Sequence, residues 1–283
     1  MTLFTLLLVL ICERLFKWGE RWQLECRLAP LFRQQHHFSM TRTVGLVVLV
    51  MLVFTLILHA ISGLLFGILS LIVWIVVGVL CIGAGESRQH YRDYLRSANQ
   101  QDVTGRQAMA EELSAIHPMP SNTTDKLYLR ELQNALLWIN YRFYLAPLFW
   151  FVVGGSYGPV CLLGYAFLRA WQGWLAKQNP LDRDKSGIDQ LLFWIDWIPV
   201  RIVGLAYVFL GHGEKALPAW WRFMTDLRHK PYHVLSVLAQ FSLERDPCKD
   251  NVEMPRIAVA LAKRITLVVV LVTALLTLAG VIF

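Results

Sequence analysis

Residues 44–62 read VGLVVLVMLVFTLILHAIS, and residues 64–82 read LLFGILSLIVWIVVGVLCI. Neither stretch of 19 residues holds an Asp, Glu, Lys or Arg. A helix of that length spans roughly 28 Å, close to the hydrocarbon thickness of a bilayer. The joint at Ser62-Gly63 is uncharged as well. The pair predicts a helical hairpin through a membrane, so any function must be one for an integral membrane protein.

The rest of the chain fits that frame. Of 283 residues, 56% are hydrophobic and 17% charged, against about 25% charged in soluble domains. The deficit is local, because long apolar blocks alternate with strongly charged ones. The net charge of +7 comes from basic residues beside apolar spans, where anionic headgroups attract them. Membrane lipid is therefore the expected partner, and nucleic acid is not. Cys12, Cys26, Cys81, Cys161 and Cys248 form no CxxC pair, so the sequence offers no metal site and no disulfide framework. It names no cofactor.

The expected class is all-α, a polytopic helical membrane protein with four to five transmembrane helices and amphipathic or soluble helices between them. Residues 1–43 form an N-terminal amphipathic segment. Its apolar run 3–12 lacks the flanks of a cleaved leader and is too short to cross alone. Trp18 and Trp22, four residues apart among arginines, suit an interfacial helix. The hairpin occupies 44–82. Residues 85–143 form a cytoplasmic segment, with a helix expected from Asp125 through about Tyr141. Residues 144–168 are the third apolar block, 188–211 an interrupted apolar segment, 212–264 a polar segment, and 265–283 a C-terminal span.

Basic residues set the orientation. Residues 1–42 carry six Lys or Arg, 85–143 carry seven, and 212–264 carry nine. The first two segments are thereby expected in the cytoplasm. Five spans place 212–264 there too. Four spans leave about 95 residues outside, and both counts stay open here. Gly154 and Gly158, spaced as GxxxG, suggest tight helix packing.

Three places can carry chemistry. Glu131, Asn134, Trp138 and Arg142, spaced 3, 4 and 4, share one helical stripe leading into an apolar block. They form either a headgroup or ligand pocket, or a solvated face with Arg142 snorkelling to phosphates. Asp196 and Arg201 interrupt an apolar segment, where ionisable groups are costly. Pro199 between them can kink the helix and bring the two together. Alternatively, the charges face water on an interfacial helix. In Gly211-His-Gly-Glu-Lys215, His212 and Glu214 are weak acid–base candidates, too few for a metal site. The glycines of Gly78–Gly83 have phosphate-loop spacing, but Ala84 and Gly85 replace the Lys and Ser/Thr.

The strings RELQNALLWINYRFYLAPLFW (130–150), GYAFLRAW (164–171), WIPVR (197–201) and GHGEKALPAW (211–220) resemble the AmpE family of bacterial inner-membrane proteins over essentially the whole chain. The resemblance implies a multi-pass inner-membrane protein associated with induction of the AmpC β-lactamase and with muropeptide recycling. It also implies a functional link to AmpD, a cytoplasmic amidase. More distantly, Ala146-Pro-Leu-Phe149, Gly154-Gly155 and Ile198-Pro-Val-Arg201 are similar to CobD/CbiB membrane enzymes of cobalamin synthesis. In those enzymes Asn-Tyr precedes the second motif, and carboxylates stand before Ala-Pro-Leu. Here Asp196-Trp197 and Arg142 occupy or adjoin those places.

Two functions follow as expectations. One is a regulatory protein whose pocket, lined by Glu131, Asn134, Arg142, Asp196 and Arg201, takes a small anionic ligand such as a muropeptide, nucleotide or lipid phosphate. The alternative is a membrane-bound ligase or transferase using Asp196, His212 and Glu214.

Overall fold

The computed structural model describes residues 2–16, 24–33, 39–62, 67–119, 124–178, 180–211, 213–243 and 250–280. Among these, every regular element is helical. Five helices are long and apolar enough to cross a membrane: Met40–Ile61, Ile68–Asn99, Asp125–Val153, Ile188–Leu210 and Glu253–Leu278. The chain is a polytopic helical membrane protein. Trp18, Trp22, Gly63 and His212 lie outside the described residues.

The chain divides into two units. The first comprises residues 1–85, 146–192 and 272–283. It contains α1 (Thr2–Phe16), α2 (Leu24–Arg33), α3 (Met40–Ile61), α4 (Ile68–Cys81), α8 (Ala146–Val153), α9 (Gly158–Gln178) and α10 (Pro180–Ser186). Helix α9 is its hub and packs against α2, α3, α4, α8 and α10. The short apolar α1 packs Leu6 and Val9 inward, with α4 as its neighbour. Helix α2 stacks Phe32 on Trp171 at 5.5 Å between ring centres. The hairpin helix α3 stays largely uncovered, as lipid-facing residues require, and its Thr55 hydroxyl donates to Met51 O at 2.7 Å. Such i−4 bonds satisfy a hydroxyl that lipid cannot.

The second unit comprises residues 86–145 and 193–271. It is built on α5 (Gly85–Asn99), α6 (Val103–Leu113), α7 (Asp125–Asn140), α11 (Ile188–Leu210), α12 (Gly213–Met224), α13 (Pro231–Leu243) and α14 (Glu253–Leu278). Here α7 is the hub. Gln133 donates to Met254 O at 3.0 Å, and Asn140 to Ala262 O at 3.3 Å, tying α7 to α14 through residues two turns apart. Residues Leu132 and Leu136 pack with Tyr94, Ala110 and Leu113 of α5 and α6.

One sequence expectation is corrected. The apolar block 144–168 is not one helix. It is divided between α8 and α9 by a single 3-10 turn at Gly155–Tyr157. Gly155 has φ +51°, a conformation that favours glycine. The long apolar helix of this region starts earlier, at Asp125. Gly154 and Gly158 face each other across that turn, and a side chain at Gly158 would strike the carbonyl of Phe151. Their spacing serves the chain reversal. The pair thereby allows the tight packing of α8 on α9 that its spacing suggests, and a further close approach lies at Gly164, which leaves room for Met51 of α3.

Candidate functional site

All five residues expected to line a pocket fall within the second unit. The stripe on α7 is an inward face rather than a solvated one. Asn134, Trp138 and Arg142 are 5%, 7% and 3% exposed, and Glu131 is half-buried. Helix α7 ends at Asn140 and passes into a π turn, Tyr141–Leu145. A π turn widens the spacing per turn, and Arg142 sits within it, still buried. Such turns are frequent at functional sites.

The π turn aims Tyr141 at Asp196 of α11, and its phenol donates to Asp196 Oδ1 at 2.8 Å. Both groups are buried, Tyr141 fully and Asp196 to 4% exposure. A carboxylate at this depth needs strong donors, and the phenol is one. Asn134 accepts from Gln240 Nε2 of α13 at 2.8 Å. Glu131 pairs with Tyr232 of α13, whose phenol also bonds Ser236. Burial first, and then the Glu131 carboxylate, push the Tyr232 phenol upward from its ordinary value, so it remains a neutral donor.

Aromatic rings connect these polar groups. Trp138 stacks on Tyr141 at 4.9 Å and meets Tyr232 edge-on at 5.5 Å. His117, from the loop after α6, stacks on Tyr232 at 4.0 Å and meets Trp138 edge-on at 5.7 Å. Glu131, Tyr232, Trp138, Tyr141 and Asp196 thus form one chain of contacts across α13, α7 and α11. Sequence reasoning missed His117, Tyr141 and Tyr232. The flanking Pro118 marks His117 only as a loop residue, and nothing local links it to a ring more than a hundred residues away.

Arg201 is placed differently from the expectation. Helix α11 runs through Pro199, and the guanidinium turns to backbone carbonyls rather than to Asp196. It donates to Trp197 O at 2.7 Å, to Phe223 O at 2.9 Å and to Asp226 O, and its Cζ lies 3.9 Å from the centre of the Trp197 ring. Those acceptors satisfy the guanidinium, so Arg201 is a clamp on the α12–α13 loop. Asp226 itself accepts from Arg228 N at 2.7 Å and pairs with His229. These donors, the backbone N–H of Arg228 first, hold the carboxyl below its usual range.

Two of the weak acid–base candidates, Asp196 and Glu214, lie among the described residues, in different environments. Asp196 is buried on Tyr141, whereas Glu214 is exposed in the first turn of α12. No group of three His, Cys, Asp or Glu among the described residues can hold a metal ion.

Another buried charge lies in the first unit. Arg169 of α9, 2% exposed, donates to Glu25 Oε1 at 3.1 Å and to Cys81 O at 3.1 Å. Cys81 is the last residue of α4, so the guanidinium satisfies a terminal carbonyl where the helix dipole favours a cation.

The family model for the regulatory signalling modulator protein AmpE matches residues 1–283. Protein AmpE of Shigella flexneri is 56% identical over 281 residues, which is 99% of either chain. No solved structure matches. Along its whole length the chain belongs to the AmpE family of regulatory signalling modulators.

Proposed function

We propose that this membrane regulator acts from the bacterial cytoplasmic membrane in induction of the AmpC β-lactamase, linked to muropeptide recycling and to the AmpD amidase. In this reading the polar site of the second unit binds a small anionic ligand, a muropeptide, nucleotide or lipid phosphate. The polar residues from 85 to the start of the Asp125–Val153 helix face the cytoplasm, where such ligands arise. One observation carries the ligand reading: the π turn buries Arg142 beside Tyr141, whose partner is the buried Asp196. A guanidinium in a low-dielectric site suits a phosphate or carboxylate.

The test is complementation of a strain lacking its own copy with wild-type, Arg142→Ala and Asp196→Asn chains. β-Lactamase activity is read after exposure to an inducing β-lactam. In parallel, small molecules retained by the purified proteins are identified by mass spectrometry. Loss of both induction and retention in Arg142→Ala is expected. Unchanged induction in both variants, or unchanged retention, overturns the assignment.

A further inference from the structure

Helix α12 has three distinct flanks. Ala216 is fully buried, and Trp220 donates Nε1–H to Arg201 O at 2.8 Å, so that flank is taken up by the protein. Leu217, Trp221 and Met224, spaced 4 and 3, form an apolar stripe exposed at 50%, 72% and 37%. Glu214, Lys215 and Arg222 are exposed on the remaining flank. At 100° per residue the apolar stripe lies between the buried flank and the charged one. A water-facing helix has no reason to carry an uncovered Trp-Leu-Met stripe, and a helix wholly in lipid has no place for three charges.

The neighbouring span shows what covers the stripe. Trp194, Ile198, Ile202 and Phe209 of α11 are exposed along the lipid-facing side of a membrane helix. Only two residues separate its end at Leu210 from Gly213 of α12. The apolar stripe of α12 thus follows closely in sequence on a membrane helix whose exposed face is also apolar. Leu227 extends it beyond the helix. Arg222, Arg228 and Lys230 are exposed beside it, while the nearest carboxylate, Asp226, is engaged by Arg228 N and His229.

We propose that α12 and the loop to Lys230 form an interfacial helix that binds an anionic phospholipid leaflet. Leu217, Trp221 and Met224 enter the headgroup–acyl boundary, and Arg222, Arg228 and Lys230 contact lipid phosphates. This surface is separate from the Arg142 site and does not rest on it. The Arg201 clamp holds the end of α12 to α11, so the depth of α12 in the leaflet is tied to the span.

The test uses the full-length chain in nanodiscs of phosphatidylcholine alone or mixed equally with phosphatidylglycerol. Cys12, Cys26, Cys161 and Cys248 are replaced by serine, and the buried Cys81 is kept. A nitroxide label is placed at Trp221→Cys or at Lys215→Cys. The label at 221 is expected to be several-fold more accessible to oxygen than to a water-soluble nickel chelate, with the reverse at 215. Adding phosphatidylglycerol is expected to drive the 221 label deeper, and the R222Q/R228Q/K230Q variant to abolish that shift. All three arginine and lysine side chains are exposed, so the variant tests charge rather than folding. A 221 label as wet as the 215 label overturns the membrane contact. A buried 221 label that ignores headgroup charge, or a shift that survives in the triple variant, overturns the anionic leaflet as partner.

Discussion

Trp220 and Arg201 fasten the same joint from opposite sides. The indole N–H of Trp220 donates to the backbone carbonyl of Arg201 at 2.8 Å, while the Arg201 side chain reaches the carbonyls of Phe223 and Asp226 beyond it. Arg201→Ala removes one buried cation and leaves several carbonyls without a donor, a loss of about 3 kcal/mol. Arg201→Lys recovers little, because an ammonium cannot span carbonyls that the planar fork reaches together. Thermal unfolding in detergent checks both. An Arg201→Lys variant as stable as wild type removes the clamp from the account.

Tyr141→Phe deletes the donor to Asp196 and leaves a buried carboxylate short of a partner, at about 2 kcal/mol. Asp196→Asn keeps an acceptor for the phenol and removes the charge, so it is the milder change. Double substitution is expected to cost less than the sum of the two, since the residues share one bond. Denaturation of the four proteins in one detergent measures the coupling, and strict additivity contradicts it.

These two sites show what was legible. Residues 44–82 declare themselves because lipid forbids charge and open backbone within a span, so the constraint is written into every consecutive residue. The helix from Asp125 was legible for a similar reason, since Pro118 and Pro120 end one element and an acidic residue opens the next. Burial of the α7 stripe was half legible: spacing placed Glu131, Asn134 and Trp138 on one side, but a π turn leaves no mark in residue types, so the irregular backbone that carries Arg142 did not show. Asp196 and Arg201 stood out as charges in an apolar block, yet their partners did not. Tyr141 lies 55 positions from Asp196, and the acceptors of Arg201 are backbone carbonyls, which every residue has. Pro199 suggested a kink joining the two, whereas the helix continues and each finds a separate partner.

The loop that Arg201 grips should be acid-sensitive. Asp226 is held below the ordinary carboxylate value by the Arg228 backbone N–H and by His229. A carboxyl depressed in the folded state contributes stability that is present above its unfolded value, about 4, and lost as pH falls through the lower folded value. Limited proteolysis of the 225–230 loop across that acid range, with an acid-stable protease, is expected to accelerate as pH falls. Asp226→Asn is expected to be cleaved readily at every pH. A wild-type loop whose cleavage follows only the protease's own pH profile contradicts the role of Asp226.

Arg169 offers the same logic in the first unit, with a clearer division of labour. Its guanidinium meets the Glu25 carboxylate and a helix-terminal carbonyl, Cys81 O. Removing the arginine strands both acceptors, and Arg169→Ala is expected to cost about 3 kcal/mol. Glu25→Gln leaves the carbonyl bond and a neutral acceptor in place, and Glu25 is partly exposed, so it is expected to cost about 1 kcal/mol. Arg169→Lys keeps the charge at the end of α4 but cannot serve both acceptors with the arginine's geometry, and should fall between the two. Thermal unfolding ranks the three, and protease accessibility of the segment joining α1 to α2 reports whether α2 has come away from α9. If Glu25→Gln proves as damaging as Arg169→Ala, the ion pair alone carries the interaction and the capping of α4 contributes nothing.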